Sequence, residues 1–416
     1  MRFKYESITL KFIRYLRKIW QERLTSFGKI LLFFLVISTS LGSLSISVPF
    51  YFLACGIFGV FFITEIFSVF MPMKVRLEVS FPERVVCDSE FELELTIVNN
   101  GKNCVFGVSA YPLFSDIKLK IVGQSGPVSI PAGGKAVVVC RMKASGRGVY
   151  EIKKHRIETA FPFGVWNKID DLPVSFSVIV YPRFWPVSSV DIPVGRRYQP
   201  GGFMMSSNIG DSMEYIGDRE YVEGDLIRNI HWNAWARLGK PVVKEFMEEY
   251  FCRIALILDT FVGSGKSGRE KKECFESAVS LTASIADVLA RKEYIVDIFA
   301  HGSELYYLRA GRSFAYFENI LDLLSCVDSG PKNNITNLAG MLEDDLPAIT
   351  TFVIVLLGWD REKERFCRHI VESGCALKRI IISDKSCGLD PNAASDEIGE
   401  ALILGKNDVK GNVDVI

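Results

Sequence analysis

The chain has no surplus of either charge. Its 49 lysines and arginines balance 49 aspartates and glutamates over 416 residues, so its overall charge does not favour nucleic acid as a partner. It also lacks paired cysteine spacing. Cys55, Cys87, Cys104, Cys140, Cys252, Cys274, Cys326, Cys367, Cys375 and Cys387 are scattered, which argues against a disulfide framework. Several sit in apolar runs, as Cys140 does after Val137, Val138 and Val139. That usage fits small buried hydrophobes in a reducing compartment. No internal repeat and no low-complexity tract is present. There is no phosphate loop either: residues 263–268 read GSGKSG after a strand and before a helix, but the leading glycine spacing is missing. The segment reads as a flexible connector, with nucleotide binding the alternative. No nucleophile stands beside a base. His231, between Ile230 and Trp232, reads as a packed structural histidine. Cys367, His369 and Cys375 make a poor metal set, because helical residues two apart point away from each other.

Charge is missing most conspicuously between Lys29 and Lys74, where Glu65 is the only charged residue. Mean hydropathy is positive, +0.20, and there are 30 phenylalanines. The runs Ile30 to Val48 and Phe50 to Phe70 are each long enough to span hydrocarbon. Ser45, Ser47 and Pro49 mark a turn between them, so a two-helix hairpin is expected rather than one overlong helix. Arg2, Lys4, Lys11, Arg14, Arg17, Lys18, Arg23 and Lys29 precede it against only Glu6 and Glu22. Positive residues stay cytoplasmic, and a hairpin returns the chain to the side it left. Everything after Lys74 is therefore expected in the cytoplasm. A cleaved signal peptide has a shorter leader and apolar core than this. Residues 8–20 carry an amphipathic pattern suited to an anionic membrane surface, or are an ordinary basic flank. Glu65 is read as snorkelling or pairing near its helix end.

A chain of this length needs more than one core. From Val75 to Phe184 short alternating strands recur, as in Phe91 to Val98, with turn signals at Asn99-Asn100-Gly101 (read as a hairpin) and Gly133-Gly134. That predicts an antiparallel β-sandwich of immunoglobulin-like architecture. Between Arg253 and Asp259 the run is continuously apolar, as a parallel strand buried on both faces requires. Helix over 271–292, strand over 294–299, helices over 314–326 and 338–346, strand over 351–357, helix over 360–373 and strand over 377–382 follow. Alternating strands and helices predict a doubly wound parallel α/β sheet. The expected divisions are 1–29 basic segment, 30–72 transmembrane hairpin, 73–186 sandwich, 187–250 linker and signature, and 251–416 α/β domain.

Between these domains lies the most unusual stretch. Glu214, Asp218, Glu220, Glu223 and Asp225 mix with Arg219, Arg228 and Arg237, and Tyr215, Tyr221, Ile230, Trp232 and Trp235 stand among them. So many charges with so many large aromatics predict a partly buried polar network of carboxylates and guanidinium forks. Gly224-Asp225 reads as a turn and helix N-cap, with Arg228 one turn later on the same face.

The spacing of Glu214, Arg219, Glu220, Tyr221, Gly224, Asp225, Arg228, Ile230, Trp232, Ala234, Ala236 and Arg237 resembles the signature of a bacterial family. That family is catalogued as domain of unknown function number fifty-eight. The resemblance extends to Arg147 to Tyr150, Phe161 to Trp166 and Val180 to Arg183, and covers residues 145–265 best. It implies a von Willebrand factor A-like domain and a MoxR-type AAA+ ATPase as partner, in the assembly or maturation of other protein complexes at the bacterial inner membrane. It also implies a place for Mg²⁺ at Asp259, Thr336 and Asp360, resembling a metal-ion-dependent adhesion site. Oxygen donors of that kind suit a hard cation. The D-x-S-x-S pattern is degenerate here, with Phe261 and Gly263 where serines belong, so no cofactor is the expectation. A membrane-anchored interaction or adaptor protein, not an enzyme, is the expected function. The alternative is a metal-assisted hydrolase using Asp259 and Asp360.

Overall fold

The computed structural model describes residues 17, 19–45, 48–193, 205–223, 225–249, 253–261, 268–292, 294–301, 305–308, 314–330, 335–382, 392, 395–405 and 408–409. The chain divides into two compact units, Met1–Val180 and Tyr181–Ile416. Nearly all of the amphipathic stretch at 8–20, and connector residues 263–267, fall outside the described residues.

The first unit opens with helices α1 (Ser26–Ser45) and α2 (Val48–Phe70). At 20 and 23 residues and about 1.5 Å rise per residue, each is long and apolar enough to cross a bilayer. Two apolar helices this near the N-terminus suggest a membrane anchor. Phe33, Phe34, Phe58 and Phe62 point outward, while polar groups turn inward. Ser38 Oγ donates to the Phe50 carbonyl (2.6 Å), and Thr64 Oγ1 to its own helix at Val60 (2.7 Å). A hydroxyl in an apolar setting needs such an acceptor.

Eleven strands follow: β1 (Val75–Ser80), β2 (Arg84–Val86), β3 (Glu90–Asn99), β4 (Val105–Leu113), β5 (Leu119–Gln124), β6 (Val128–Ile130), β7 (Lys135–Ala144), β8 (Gly148–Ile152), β9 (Lys154–Thr159), β10 (Lys168–Leu172) and β11 (Phe176–Tyr181). They form sheets in the orders β1-β3-β7-β5, β10-β9-β4-β6 and β2-β11-β8, antiparallel throughout the first two and between β11 and β8. In β3, Phe91, Leu93, Leu95 and Ile97 enter the shared core while Glu90, Glu92 and Glu94 face out. That alternation is the pleat reading the sequence, and each such side chain contributes about 1.5–3 kcal/mol of burial.

The hairpin expected at Asn99-Asn100-Gly101 does not form. β3 pairs with β1 and β7, while β4 pairs with β6 and β9. The turn therefore carries the chain between sheets. The fully buried Asn99 explains why. Its amide donates to the carbonyls of Asn103 (2.8 Å), Ile130 (3.1 Å) and Pro131 (3.1 Å), and its Oδ1 accepts from Gly101 N. One side chain thus ties together both crossings, the second being the Gly133-Gly134 turn between β6 and β7.

The base of the helices is seated on the sandwich by the loop Phe161 to Trp166. Residues 23–25 pair with 164–167: Asn167 N donates to Arg23 O (2.6 Å), Thr25 N to Val165 O (3.3 Å), and Leu24 bridges Trp166. Thr25 Oγ1 donates to Gly164 O (2.5 Å) and accepts from Gly28 N (2.9 Å), which caps α1. Phe161 stacks on Phe106 (4.8 Å) and meets Phe67 of α2 edge-on (6.1 Å). Lys168 Nζ donates to Ser68 O (2.6 Å) and Met71 O (3.1 Å) at the α2 C-terminus, where a cation suits the helix dipole. Desolvation lowers the Lys168 pKa, and nearby Glu65 and Asp170 oppose that. Glu65 is thus close enough to Lys168 to act on its charge.

The second unit contains strands β12 (Met205–Glu220) and β13 (Val242–Glu249), helix α3 (Trp232–Leu238), then β14 (Arg253–Leu258), α4 (Gly268–Arg291), β15 (Ile295–His301), β16 (Leu305–Leu308), α5 (Phe314–Cys326), α6 (Ile335–Leu342), β17 (Thr351–Leu357), α7 (Arg361–Glu372), β18 (Ala376–Ile382), α8 (Ser395–Ile398) and β19 (Ala401–Leu404). Six of these strands form one sheet in the order β16-β15-β14-β17-β18-β19. All its pairs are parallel except β15 with β16. Every residue of β17 is buried, as helices on both faces require. Strand order reverses between β14 and β17, and ligands gather at the carboxyl ends of strands at such a switch point.

Candidate functional site

The charged signature folds as a two-stranded ribbon with a short helical return. β12 pairs antiparallel with β13, through Arg219 opposite Val243 and Glu220 opposite Val242. Pattern reading gave no strand here, because charges and glycines replace the usual alternation. Between the strands, Ile227–Asn229 makes one 3-10 turn and α3 follows. His231 N donates to Val242 O (2.8 Å) and Ile230 bridges Val243, so the return packs back on β13. Gly239, at φ 71°, ends α3 in the left-handed conformation that favours glycine.

Asp225 is not an N-cap paired with Arg228. Its carboxylate takes a bidentate fork from Arg219, Nη1 to Oδ2 at 2.7 Å and Nη2 to Oδ1 at 2.6 Å, and accepts from Val222 N (2.8 Å). The strand-to-turn path returns Asp225 beside Arg219, and the 3-10 turn begins after Leu226, with no side-chain cap. Arg228 lies on that turn. His231 is half-buried, and its Nδ1 meets Asp218 Oδ2 at 2.8 Å. Glu220 pairs with Lys240. Trp232 and Trp235 stack at 5.4 Å, and Arg237 lies in the last turn of α3. Tyr221 N donates to Pro241 O (3.1 Å). Gly224, and the side chain of Glu214, lie outside the described residues.

The network is half-exposed. Ile227 is 71% exposed, Val222 63% and Trp232 59%, so large apolar side chains are exposed on the same segment as the ion pairs. Hydrogen bonds from Arg219, with the Val222 N–H, hold the Asp225 carboxyl below its usual range. At Asp218 desolvation acts upward, but hydrogen bonds from His231 and Tyr215 outweigh it and the pKa is lowered. A depressed carboxyl contributes stability above its ordinary pKa, near 3.9, which is lost as pH falls through the lower folded value. Acidifying below about pH 4 is therefore expected to loosen this ribbon. The check is the fluorescence difference between wild type and Trp232→Phe across pH 6 to about 3. A difference flat over that range would show that neither carboxylate holds the ribbon.

A second group of residues meets at the switch point. Asp259 follows β14, and Asp360 is the N-cap of α7, its Oδ1 accepting from Glu362 N (3.0 Å) and Lys363 N (2.9 Å). Asp259 is buried. Its Oδ1 accepts from Phe261 N (2.9 Å) and its Oδ2 from Leu357 N (2.9 Å). Lys363, 1% exposed, brings its ammonium 2.5 Å from Asp259 Oδ2. It also donates to Leu357 O (3.0 Å) and lies 4.0 Å from Asp360 Oδ2. Thr336 lies on α6, its side chain outside the described residues. These residues do not fit a divalent ion: Asp259 is committed to two amides and an ammonium. Sequence reading missed Lys363, although its place three residues after a helix-capping aspartate was visible. No group of three His, Cys, Asp or Glu that could hold a metal occurs among the described residues. Cys367 is buried, its thiol pushed up to about 12 by desolvation. Cys375 Sγ points at the Ile349 carbonyl (3.6 Å).

Residues 217–350 match the family model described as "Protein of unknown function DUF58". The match supports the family resemblance read from the signature. No curated protein matches. Among solved structures, the cupredoxin domain of amoB from Nitrosocaldus yellowstonii is 13% identical at a TM-score of 0.19, over 26% of this chain and 86% of that one. Escherichia coli alpha-2-macroglobulin activated by porcine elastase is 21% identical at 0.20, over 26% and 10%. The Deinococcus radiodurans RO (RSR) protein is 17% identical at 0.23, over 36% and 31%. At such TM-scores these likenesses bear on neither fold nor function.

Proposed function

We propose that the chain is a membrane-anchored adaptor whose second unit receives a protein partner on the ribbon of the family signature. The observation that supports this is the apolar surface of Val222, Ile227 and Trp232, held in place by the Arg219–Asp225 fork. Exposed aromatics beside an arginine are the residue types that anchor interfaces. The family resemblance supplies the partner in this reading, a MoxR-type AAA+ ATPase, with assembly or maturation of other complexes as the task. A von Willebrand A-like domain is the reading that the order β16-β15-β14-β17-β18-β19, with its antiparallel edge, supports. Co-purification from detergent-solubilised membranes tests the partner. Trp232→Glu and Ile227→Glu should each reduce ATPase capture at least about tenfold, the equivalent of 1.4 kcal/mol. Undiminished capture by both variants would exclude the ribbon as the docking surface.

The cytoplasmic placement belongs to the same reading. The basic residues before the helices support it. Ile117, 86% exposed in the first unit, is a suitable reporter. Ile117→Cys should react with an impermeant thiol reagent only after the membrane is opened. Labelling in intact cells would reverse the orientation.

A further inference from the structure

The crevice at the carboxyl ends of β14 and β17 already holds a cation, and that cation is covalently part of the chain. The Lys363 ammonium is ringed by oxygen: Asp259 Oδ2 at 2.5 Å, Leu357 O at 3.0 Å, Gly358 O at 3.5 Å and Asp360 Oδ2 at 4.0 Å. Two carboxylates and two carbonyls are the donors a hard divalent ion would take. Helical side chains lean towards the helix N-terminus, so a lysine in the first turn of α7 reaches back over the end of β17. That location opposes the helix dipole, which disfavours a cation there. Asp259 compensates it, and Asp259 is itself fixed by two backbone amides.

We infer that Lys363 is the resident cation of this crevice, in the place a divalent ion would need between Asp259 and Asp360. The crevice is thereby metal-independent. A bound divalent ion offers an open coordination position to an acidic group of a partner. An enclosed ammonium offers none, so a partner's carboxylate cannot be bridged to the sheet here through metal. The inference stands whether or not the ribbon recruits an ATPase, since it concerns different residues.

The test is a Mn²⁺ titration of the full chain in detergent micelles, followed by the electron paramagnetic resonance signal of free Mn²⁺. Wild type should leave that signal undiminished. Lys363→Ser removes the ammonium and leaves the oxygens, so it should take up Mn²⁺, and adding Asp259→Asn should abolish the uptake. Binding by wild type that disappears in Asp259→Asn would overturn the inference. So would a Lys363→Ser protein that folds, by circular dichroism, yet takes up none. If Lys363→Ser does not fold, the wild-type titration decides: Asp259-dependent binding overturns the inference, and its absence upholds it.

Discussion

Asp259→Ala is expected to destabilise the second unit by about 3–5 kcal/mol, the usual cost of removing one partner from a buried ion pair. Both partners are buried here, Lys363 at 1% and Asp259 at 6% exposure. The substitution strands an ammonium and also leaves Phe261 N and Leu357 N without their acceptor. Lys363→Met should cost less, because it keeps the aspartate and its two amide donors. The suitable measurement is hydrogen exchange at the β14 and β17 amides, since a chain with two units and two membrane-length helices need not unfold in one step. Protection should fall on the order of a hundred- to several-thousand-fold in Asp259→Ala. Equal losses in the two variants would mean that the amide contacts contribute nothing. Unchanged protection would mean the pair does not hold the strand ends at all.

The second large effect is expected at Gly28. A Cβ there would lie 2.2 Å from the carbonyl oxygen of Val165, which is backbone and cannot swing aside. Gly28→Ala should therefore force α1 away from the Phe161 to Trp166 loop, at about 1–3 kcal/mol of overpacking. Gly56→Ala and Gly59→Ala are the controls, because nothing lies within 4 Å of either added carbon. Those two should be neutral or slightly favourable, as alanine is the better helix former. Limited proteolysis in micelles reads the difference as faster cleavage at residues 161–167 in Gly28→Ala alone. Matching cleavage in all three variants would show that the helices are not seated on this loop.

Much of the architecture was legible in the sequence. The expected helix over 314–326 is α5, the strand over 351–357 is β17, and the run from Phe91 to Val98 lies within β3. Each has a strong local period, and a local period needs no tertiary information. β16 and β19 were not visible: at four residues each, they are too short for a period. The ribbon of β12 and β13 was missed for another reason, since a two-stranded element with charges on both faces has no apolar alternation to read.

Pairing was beyond local reading. Asn99-Asn100-Gly101 is an ordinary hairpin signal, yet the chain crosses sheets there, because Asn99 finds the Ile130 and Pro131 carbonyls 31 and 32 residues away. The same limit applied to Asp225. Sequence spacing points to Arg228, but the folded turn brings back Arg219.

By itself, then, the sequence determined the two membrane-length helices, the sandwich, the alternating α/β unit and the family signature. All of these rest on composition, period or residue order, which are properties of neighbouring residues. Only the tertiary structure decided which charges meet. Asp259 and Lys363 are separated by more than a hundred residues, and an ammonium closes on a carboxylate only after β14 and β17 lie side by side. Ion pairs act over a few ångströms, and only folding sets distances on that scale.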